Sequence, residues 1–290
     1  MDDTLRSPML DIDLSALRHN LGLVRAMAGD REVIASIKAN AYGFGVVGIS
    51  RALVAAGVRK LWTGNFDEAV ALRAAGIDAE ILLFGGAEPH QYEALLRHDL
   101  QPTIFDDAGA SGLAAAAAAA GKAAPVWIKV DAGLGRLGVP VDEAFAFVRG
   151  VVATPGLALR GVYSHLPFGS ADGRQWALDR QGAFQRLIAR LAEAGVAVPV
   201  TQLWGSSGLL TGLPDDSNAV CVGHALYGLT PLEPGVGDDQ SFRPLVRSLS
   251  AGIIRITEAG AGDGGTGGYG RIDNRLAATA AIGIGDGLRK

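Results

Sequence analysis

The strongest constraint on the fold is an eightfold alternation of short apolar runs with Ala- and Leu-rich stretches between residues 33 and 222. The longest of these stretches, Trp176–Ala194, places Leu178, Phe184, Leu187 and Leu191 on one stripe of a helix. Parallel strands joined by helical crossovers produce such a pattern, and eight is the number of strands that closes a TIM barrel. The runs predicted as strands are Val33–Ile37, Lys60–Gly64, Glu80–Gly85, Pro102–Phe105, Val126–Val130, Leu159–Ser164, Thr201–Trp204 and Ala219–Val222.

The pattern changes after about Pro234. Residues 247–257 and 275–284 are strand-like, a Gly-rich stretch separates them, and no helical spacing intervenes, so this tail is predicted to be antiparallel β. We therefore predict an α/β protein, with a (β/α)8 barrel over residues 1–235 and a smaller β-domain over residues 236–290. An open doubly wound sheet is the alternative, although no G-x-G-x-x-G motif follows the first strand to support its dinucleotide-binding version.

Composition excludes several classes of protein. With 49% hydrophobic residues and a net charge of −4, the chain has enough apolar material for a large core and is not disordered. A pI of about 5.7 argues against a basic nucleic-acid binder. No apolar stretch reaches the ~18 residues of a membrane helix, and the acidic N-terminus lacks a signal core. A single cysteine, Cys221, rules out an internal disulfide and a Cys-rich metal site. We expect a cytoplasmic enzyme with no nucleic-acid, membrane or metal partner.

Polar residues follow the predicted strands, where TIM barrels carry their functional groups. Lys38 follows the first strand, and an amine desolvated at a barrel mouth is a nucleophile able to form a Schiff base. A lysine extending to solvent is the simpler interpretation. Likewise, Lys129, Asp131 and Arg136 after the fifth strand are either an ion-pair network at the rim or part of a site. His165 after the sixth strand is either a structural histidine or a group that stacks on a ring or transfers protons.

Small residues follow the last two strands: Ser206-Ser207 after the seventh and Gly223-His224 after the eighth. Barrels of this kind commonly bind phosphate there, through hydroxyl groups and backbone N–H groups. Each signal is weak alone. A strand-end lysine together with a phosphate cradle suggests pyridoxal 5'-phosphate, whose aldehyde needs a lysine and whose phosphate needs hydrogen-bond donors.

Two long motifs carry a resemblance to a known family. Residues 33–45, Val-Ile-Ala-Ser-Ile-Lys-Ala-Asn-Ala-Tyr-Gly-Phe-Gly, resemble the cofactor-attachment motif of bacterial alanine racemases, and residues 129–138 resemble that family's Lys-x-Asp-x-Gly-x-Gly-Arg-Leu-Gly motif. The likeness extends through residues 223–228 and 268–271. It implies a fold type III barrel followed by a β-domain, a homodimer with a shared active site, and interconversion of L- and D-amino acids, with alanine as the default substrate.

The resemblance also implies roles for individual residues. Lys38 would form the Schiff base with pyridoxal phosphate and act as one acid/base, and Tyr269 from the partner subunit would act as the other. His165 would stack on the cofactor ring, Arg136 would contact its phenolic oxygen, and Lys129 matches a lysine that can be carbamylated. The phosphate would be held by Tyr42, Ser207, Gly223 and the backbone of His224.

The chain departs from the family pattern at several positions. Cys221 stands where the family has an arginine on the pyridine nitrogen, and Leu203 stands where a histidine supports that arginine. Ser206 replaces an asparagine and Ile284 a tyrosine, and the β-domain is cut short at Lys290. We predict that Cys221 faces the cofactor ring. A neutral thiol there leaves one alternative open, an aldolase or hydroxymethyl transferase acting through a Cα carbanion. The other alternative is a non-catalytic protein that binds pyridoxal phosphate, which the short β-domain favours and Tyr269 argues against.

Overall fold

The computed structural model describes residues 8–237, 241–258 and 276–288. They form two compact units: Leu14–Pro244, and a smaller unit that joins residues 8–13 to the described residues from Leu245 onward. The limits drawn from the sequence, 1–235 and 236–290, stay a prediction about the domains.

The strands are β1 (Met9–Ile12), β2 (Glu32–Ser36), β3 (Lys60–Thr63), β4 (Glu80–Leu83), β5 (Leu100–Ile104), β6 (Ala124–Asp131), β7 (Val139–Pro140), β8 (Leu157–Tyr163), β9 (Val200–Gln202), β10 (Ala219–Val222), β11 (Val246–Ser250), β12 (Ile253–Glu258) and β13 (Leu276–Ala280). The α-helical segments are α1 (Leu14–Ala28), α2 (Lys38–Tyr42), α3 (Val46–Ala55), α4 (Phe66–Ala74), α5 (Tyr92–Arg97), α6 (Asp107–Ala120), α7 (Val141–Ala153), α8 (Ala171–Glu193) and α9 (Ser206–Leu210). Short 3-10 turns cover Pro89–Gln91, His224–Tyr227 and Ile284–Asp286.

Eight parallel strands of the larger unit close into a barrel. The order is β5-β4-β3-β2-β10-β9-β8-β6, and the pairing of Thr103 with Trp127 joins β5 to β6. The two-residue strand β7 adds to β6 outside this ring. All eight strands predicted from the sequence are confirmed as barrel strands. The open-sheet alternative is wrong, because each of the eight strands has a partner on both sides.

Helices on the outside follow from capping and apolar spacing. Asn65 accepts the N–H groups of Asp67 and Glu68 at the start of α4, and Ser170 accepts that of Gly173 at the start of α8. In α8 the predicted stripe is largely confirmed, since Phe184, Leu187 and Leu191 are buried. Among the described residues no helix is both long enough and apolar enough to cross a membrane.

The barrel interior is filled by aromatic side chains. The rings of Trp62 and Trp127 meet edge to face at 5.3 Å, and Tyr163 lies 4.9 Å from Trp62. Ile34, Leu82 and Ala219 complete this cluster. Because alternate residues of each strand point inward, side chains from six different strands close the barrel below its carboxyl end.

The smaller unit is antiparallel β in its described residues, as predicted for the tail. Strand β12 pairs with β13, and β11 pairs with β1 at the start of the chain. The run predicted over 247–257 is divided between β11 and β12, and β1 was not expected from the sequence. Arg247 ties β11 to residues 8–13 by ion pairs to Asp11 at 3.7 Å and Asp13 at 3.3 Å.

Candidate active site

A cavity of about 280 Å³ opens at the carboxyl ends of the barrel strands. It collects every described residue to which the sequence assigned a role in cofactor binding: Lys38, Tyr42, Arg136, His165, Ser207, Cys221, Gly223 and His224. Lys129 and Ser206 also line it. The predicted second acid/base, Tyr269, lies outside the described residues.

The segment that carries Lys38 is a left-handed turn directly after β2. Ala39, Asn40, Ala41 and Tyr42 all have φ between 53° and 58°. Left-handed backbone costs roughly 1–2 kcal/mol per L-residue, and strain of this kind clusters at functional sites. The turn places the Lys38 ammonium 5.6 Å from the centre of the Tyr42 ring, so both side chains face the same cavity.

Tyr42 is held among aromatic rings and a glycine. Its ring lies 4.5 Å from that of Tyr227 and 5.3 Å from that of His224. A Cβ at Gly223 would lie only 2.1 Å from the Tyr42 hydroxyl oxygen, so no residue with a side chain fits there without displacing Tyr42. Burial raises the pKa of Tyr42 to about 12, and the hydroxyl therefore stays protonated near neutral pH.

Two serines begin α9 at the end of the seventh barrel strand. The Ser206 hydroxyl accepts the backbone N–H groups of Gly223 and Ala225, both at 3.3 Å, and so links this turn to the one after β10. The Ser207 hydroxyl donates to the Phe168 carbonyl at 2.6 Å. The sequence singled out Ser207 alone for cofactor binding, whereas both serines line the cavity.

Lys129 is almost fully buried on β6, with 4% of its surface exposed. Burial and the charge of Arg136 lower the pKa of Lys129 to about 8, against an opposing effect of Asp131. The Asp131 carboxylate accepts the N–H groups of Gly133 at 2.8 Å and Gly135 at 2.9 Å, which shapes the glycine loop after β6.

His165 is a neutral imidazole. Burial, followed by the charges of Lys129, Arg136, Lys38 and His224, lowers the pKa of His165 to about 3. Because the His165 ring carries no charge that needs solvation, it is better suited to stacking on another ring than to acting as a cation.

The charged groups that line the cavity are all cationic. They are Lys38, Lys129 and Arg136, and none of the described lining residues is Asp or Glu. Burial lowers the pKa of both lining histidines, His165 and His224, so these add no charge near neutral pH. With low-dielectric walls around them, the cationic groups favour an anionic ligand.

The floor of the cavity is neutral. Cys221 lines it and packs against the aromatic cluster beside Phe84, and burial raises the pKa of its thiol to about 12 although Lys38 opposes the shift. Trp62 also reaches the cavity, and within the described structure its indole N–H has no hydrogen-bond partner. Trp62 and Phe84 were not predicted as site residues, because apolar strand residues carry no sequence signal that separates a site from a core.

The expectation for Leu203 is corrected. Leu203 is fully buried and is absent from the cavity lining, whereas Gln202 lines the cavity. Successive side chains of a strand point to opposite faces, so only one of the two neighbours faces inward. The Gln202 amide and the Cys221 N–H both donate to the Trp204 carbonyl, at 3.0 Å and 3.1 Å, which makes Gln202 the close neighbour of Cys221.

Residues 12–231 match the family model described as alanine racemase, N-terminal domain. The chain is 34% identical to the alanine racemase of Synechocystis over 278 residues, which is 95% of this chain and 74% of that protein. It is 33% identical to the enzyme of Desulforamulus reducens, with 87% of this chain and 68% of that one covered. The crystal structure of the Bacillus anthracis alanine racemase with bound L-Ala-P superposes with a TM-score of 0.85 at 27% identity, covering 97% of this chain and 74% of that one. The chain belongs to the alanine racemase family.

Proposed function

We propose that this protein interconverts L- and D-alanine with pyridoxal 5'-phosphate as its cofactor. The observation that carries the proposal is Lys38, held on a strained turn at a cavity whose other charged groups, Lys129 and Arg136, are also basic. Alanine as the substrate is supported by the names of the relatives.

The cavity fits this cofactor. Lys38 is the amine for its aldehyde, and the Ser206 hydroxyl and the His224 backbone N–H are donors for its phosphate. The Ser207 hydroxyl and the Gly223 N–H would join them by releasing the Phe168 carbonyl and the Ser206 oxygen. Arg136 would hold its phenolic oxygen, and the neutral His165 would stack on its ring. Gly223 supports the fit independently, because its missing side chain lets the Tyr42 hydroxyl lie against the backbone, so that both groups line the same cavity.

Racemisation requires proton transfer on both faces of Cα. When bound, pyridoxal phosphate delocalises the electron pair left on Cα after the proton is removed. On one face Lys38 would take or return the proton at its Nζ atom. For the other face we propose Tyr269 from the partner subunit of a homodimer.

A chiral assay of the purified protein with a panel of amino acids, with and without added cofactor, tests the activity. We expect racemisation of alanine above all other amino acids, dependent on pyridoxal phosphate. Cleavage or hydroxymethyl transfer of a β-hydroxy amino acid would instead identify a Cα-carbanion transferase. Cofactor binding without turnover of any substrate would identify a binding protein.

Mixing two inactive variants tests the shared site. A dimer of one Lys38→Ala chain and one Tyr269→Phe chain has one site with both groups and one site with neither. We expect activity to return in part on mixing. No recovery after demonstrated subunit exchange would contradict a site formed by two subunits.

A further inference from the structure

We infer that Glu68 is a positioning residue that holds the left-handed turn at Lys38–Tyr42 in the shape required for cofactor attachment. Glu68 does not line the cavity, so it acts through the turn and not on the ligand. The link to the cofactor rests on the proposed function, whereas the link to the turn rests on the contacts below.

The Glu68 carboxylate bridges two segments. One oxygen accepts the backbone N–H of Asn40 at 2.6 Å, in the middle of the left-handed turn. The other oxygen accepts the hydroxyl of Thr63 at 2.5 Å, at the end of β3. Thr63 is fully buried, so the carboxylate is fixed on the barrel side by a rigid partner. Hydrogen bonds to an ionised carboxylate are short and stronger than neutral ones.

The position of Glu68 is set by the start of α4. Asn65 caps this helix and accepts the Glu68 N–H, which orients the first turn. The backbone N–H of Asn65 in turn donates to the Thr63 hydroxyl oxygen at 3.2 Å. The barrel and the first turn of α4 therefore both fix the position of the Glu68 side chain, independently of its contact with the left-handed turn.

The left-handed turn requires an external hydrogen bond such as the one from the Asn40 N–H to Glu68. Four consecutive left-handed residues that are not glycine persist only where surrounding groups over-determine them. Inside the turn, Ala41 N–H donates to the Ile37 carbonyl and Gly43 N–H to the Ala39 carbonyl. The Asn40 side chain accepts the Val46 N–H at 2.8 Å. Glu68 supplies the acceptor for the Asn40 backbone N–H, from outside the turn.

The conformation of the left-handed turn sets the direction of two cavity side chains, Lys38 and Tyr42. Lys38 and Tyr42 are the two ends of this turn, and each lines the cavity. If the turn relaxes to right-handed backbone, the two side chains no longer point to one place. Glu68 thereby couples the start of α4 to the geometry of the attachment lysine.

Hydrogen–deuterium exchange on the full chain, before cofactor is added, tests the contact directly. We expect Glu68→Ala to speed exchange in the peptide covering residues 38–46 by about tenfold, because one anchoring bond is lost. Glu68→Gln keeps an acceptor for Asn40 and should stay within about threefold of the parent. Asp67→Ala is the matched control: Asp67 is an exposed acidic residue of the same helix turn, and its removal should leave that peptide unchanged.

Titration with pyridoxal phosphate and borohydride trapping on Lys38 tests the consequence. We expect Glu68→Ala to raise the Kd for the cofactor about tenfold, with Glu68→Gln and Asp67→Ala close to the parent. If Glu68→Ala does not fold, Thr63→Val removes the other anchor of the carboxylate and should show the same changes to a smaller degree. Unchanged exchange and cofactor affinity in a folded Glu68→Ala or, failing that, Thr63→Val would overturn the inference. A parent protein that takes up no cofactor would overturn the proposed function instead, while the exchange result would still decide the role of Glu68.

Discussion

The two ends of the barrel shift the pKa of a lysine in opposite directions: that of the partly buried Lys60 at the amino end and that of the buried Lys129 at the carboxyl end. At the amino end, burial alone would lower the pKa of Lys60, but hydrogen bonds to Glu80 at 2.9 Å and Glu32 at 3.0 Å outweigh it and the pKa is raised. At the carboxyl end, burial and the neighbouring Arg136 lower the pKa of Lys129 to about 8.

The amino end is a completed polar network. Glu80 also accepts the Gln101 amide at 2.9 Å, and the Gln101 carbonyl accepts the Trp127 indole N–H at 2.6 Å. At the carboxyl end the basic groups face a cavity without carboxylates among the described lining residues. This difference indicates that the amino end of the barrel contributes to stability and the carboxyl end to ligand binding. Acidic side chains neutralise Lys60 at the amino end, whereas the cationic groups at the carboxyl end remain available for an anionic ligand.

The largest expected effect is loss of activity on replacing Lys38. Lys38→Ala removes the amine that we propose for the cofactor and one of the two proposed acid/base groups, so we expect racemase activity to fall by about 10³-fold or more. Stability should change little, because the side chain faces a cavity. Borohydride trapping and a chiral assay measure the loss, and Lys60→Met is the matched lysine control. A variant that still racemises alanine at the parent rate would contradict the role of Lys38.

Much of this comparison could be predicted from the sequence. The eight strands were evident from hydrophobic periodicity, and strand ends locate the site in any barrel, so Lys38, Arg136 and His165 could be named. The role of Glu68 could not, because its partner Asn40 becomes a neighbour only through a left-handed turn that no propensity predicts. Gln202 was missed for a related reason: the register at a strand end decides whether Gln202 or Leu203 faces inward.

The second effect concerns the neutral floor. Cys221→Arg would bury a guanidinium beside Phe84 and the aromatic cluster, and we expect it to lower the free energy of unfolding by about 3 kcal/mol. Adding Gln202→Glu should recover part of this loss, because Gln202 shares the Trp204 carbonyl with Cys221. Leu203→His should not, since Leu203 does not line the cavity. Urea unfolding measures the effect, with Cys221→Ser as the conservative control. Equal stability of parent and Cys221→Arg would show that the floor tolerates a charge.

The third effect is on the pH dependence of stability. The pKa of Lys129 is about 8 in the folded protein against 10.5 for a free lysine, so the unfolded chain binds more protons between these values. The folded state therefore carries a full penalty below about pH 8, which is relieved as the pH rises toward 10.5. In CO2-free buffer we expect Lys129→Met to be more stable than the parent by about 2 kcal/mol at neutral pH, with the difference gone near the upper limit. Bicarbonate should stabilise the parent alone if Lys129 is carbamylated. A constant difference across this range would contradict the lowered pKa.

The smallest effect is expected at the amino end. Lys60→Met leaves Glu32 and Glu80 without their ammonium partner. Both carboxylates keep about a third of their side-chain surface in water, so we expect the free energy of unfolding to fall by only about 1 kcal/mol.

The same substitution should change the pH dependence of stability. Burial alone raises the pKa of Glu80, but hydrogen bonds to Gln101 and Lys60 and the charges of Lys60 and Arg160 bring it below its ordinary value. The stability from Glu80 is therefore present above the ordinary pKa and is lost as the pH falls through the folded value. Without Lys60 the folded pKa of Glu80 rises toward its ordinary value, so the loss of stability on acidification should become smaller. Urea unfolding between neutral and acidic pH measures this change. Cofactor affinity should not change, because the network lies at the opposite end of the barrel from the cavity. A weaker cofactor affinity in folded Lys60→Met would contradict the conclusion that the two ends of the barrel act independently.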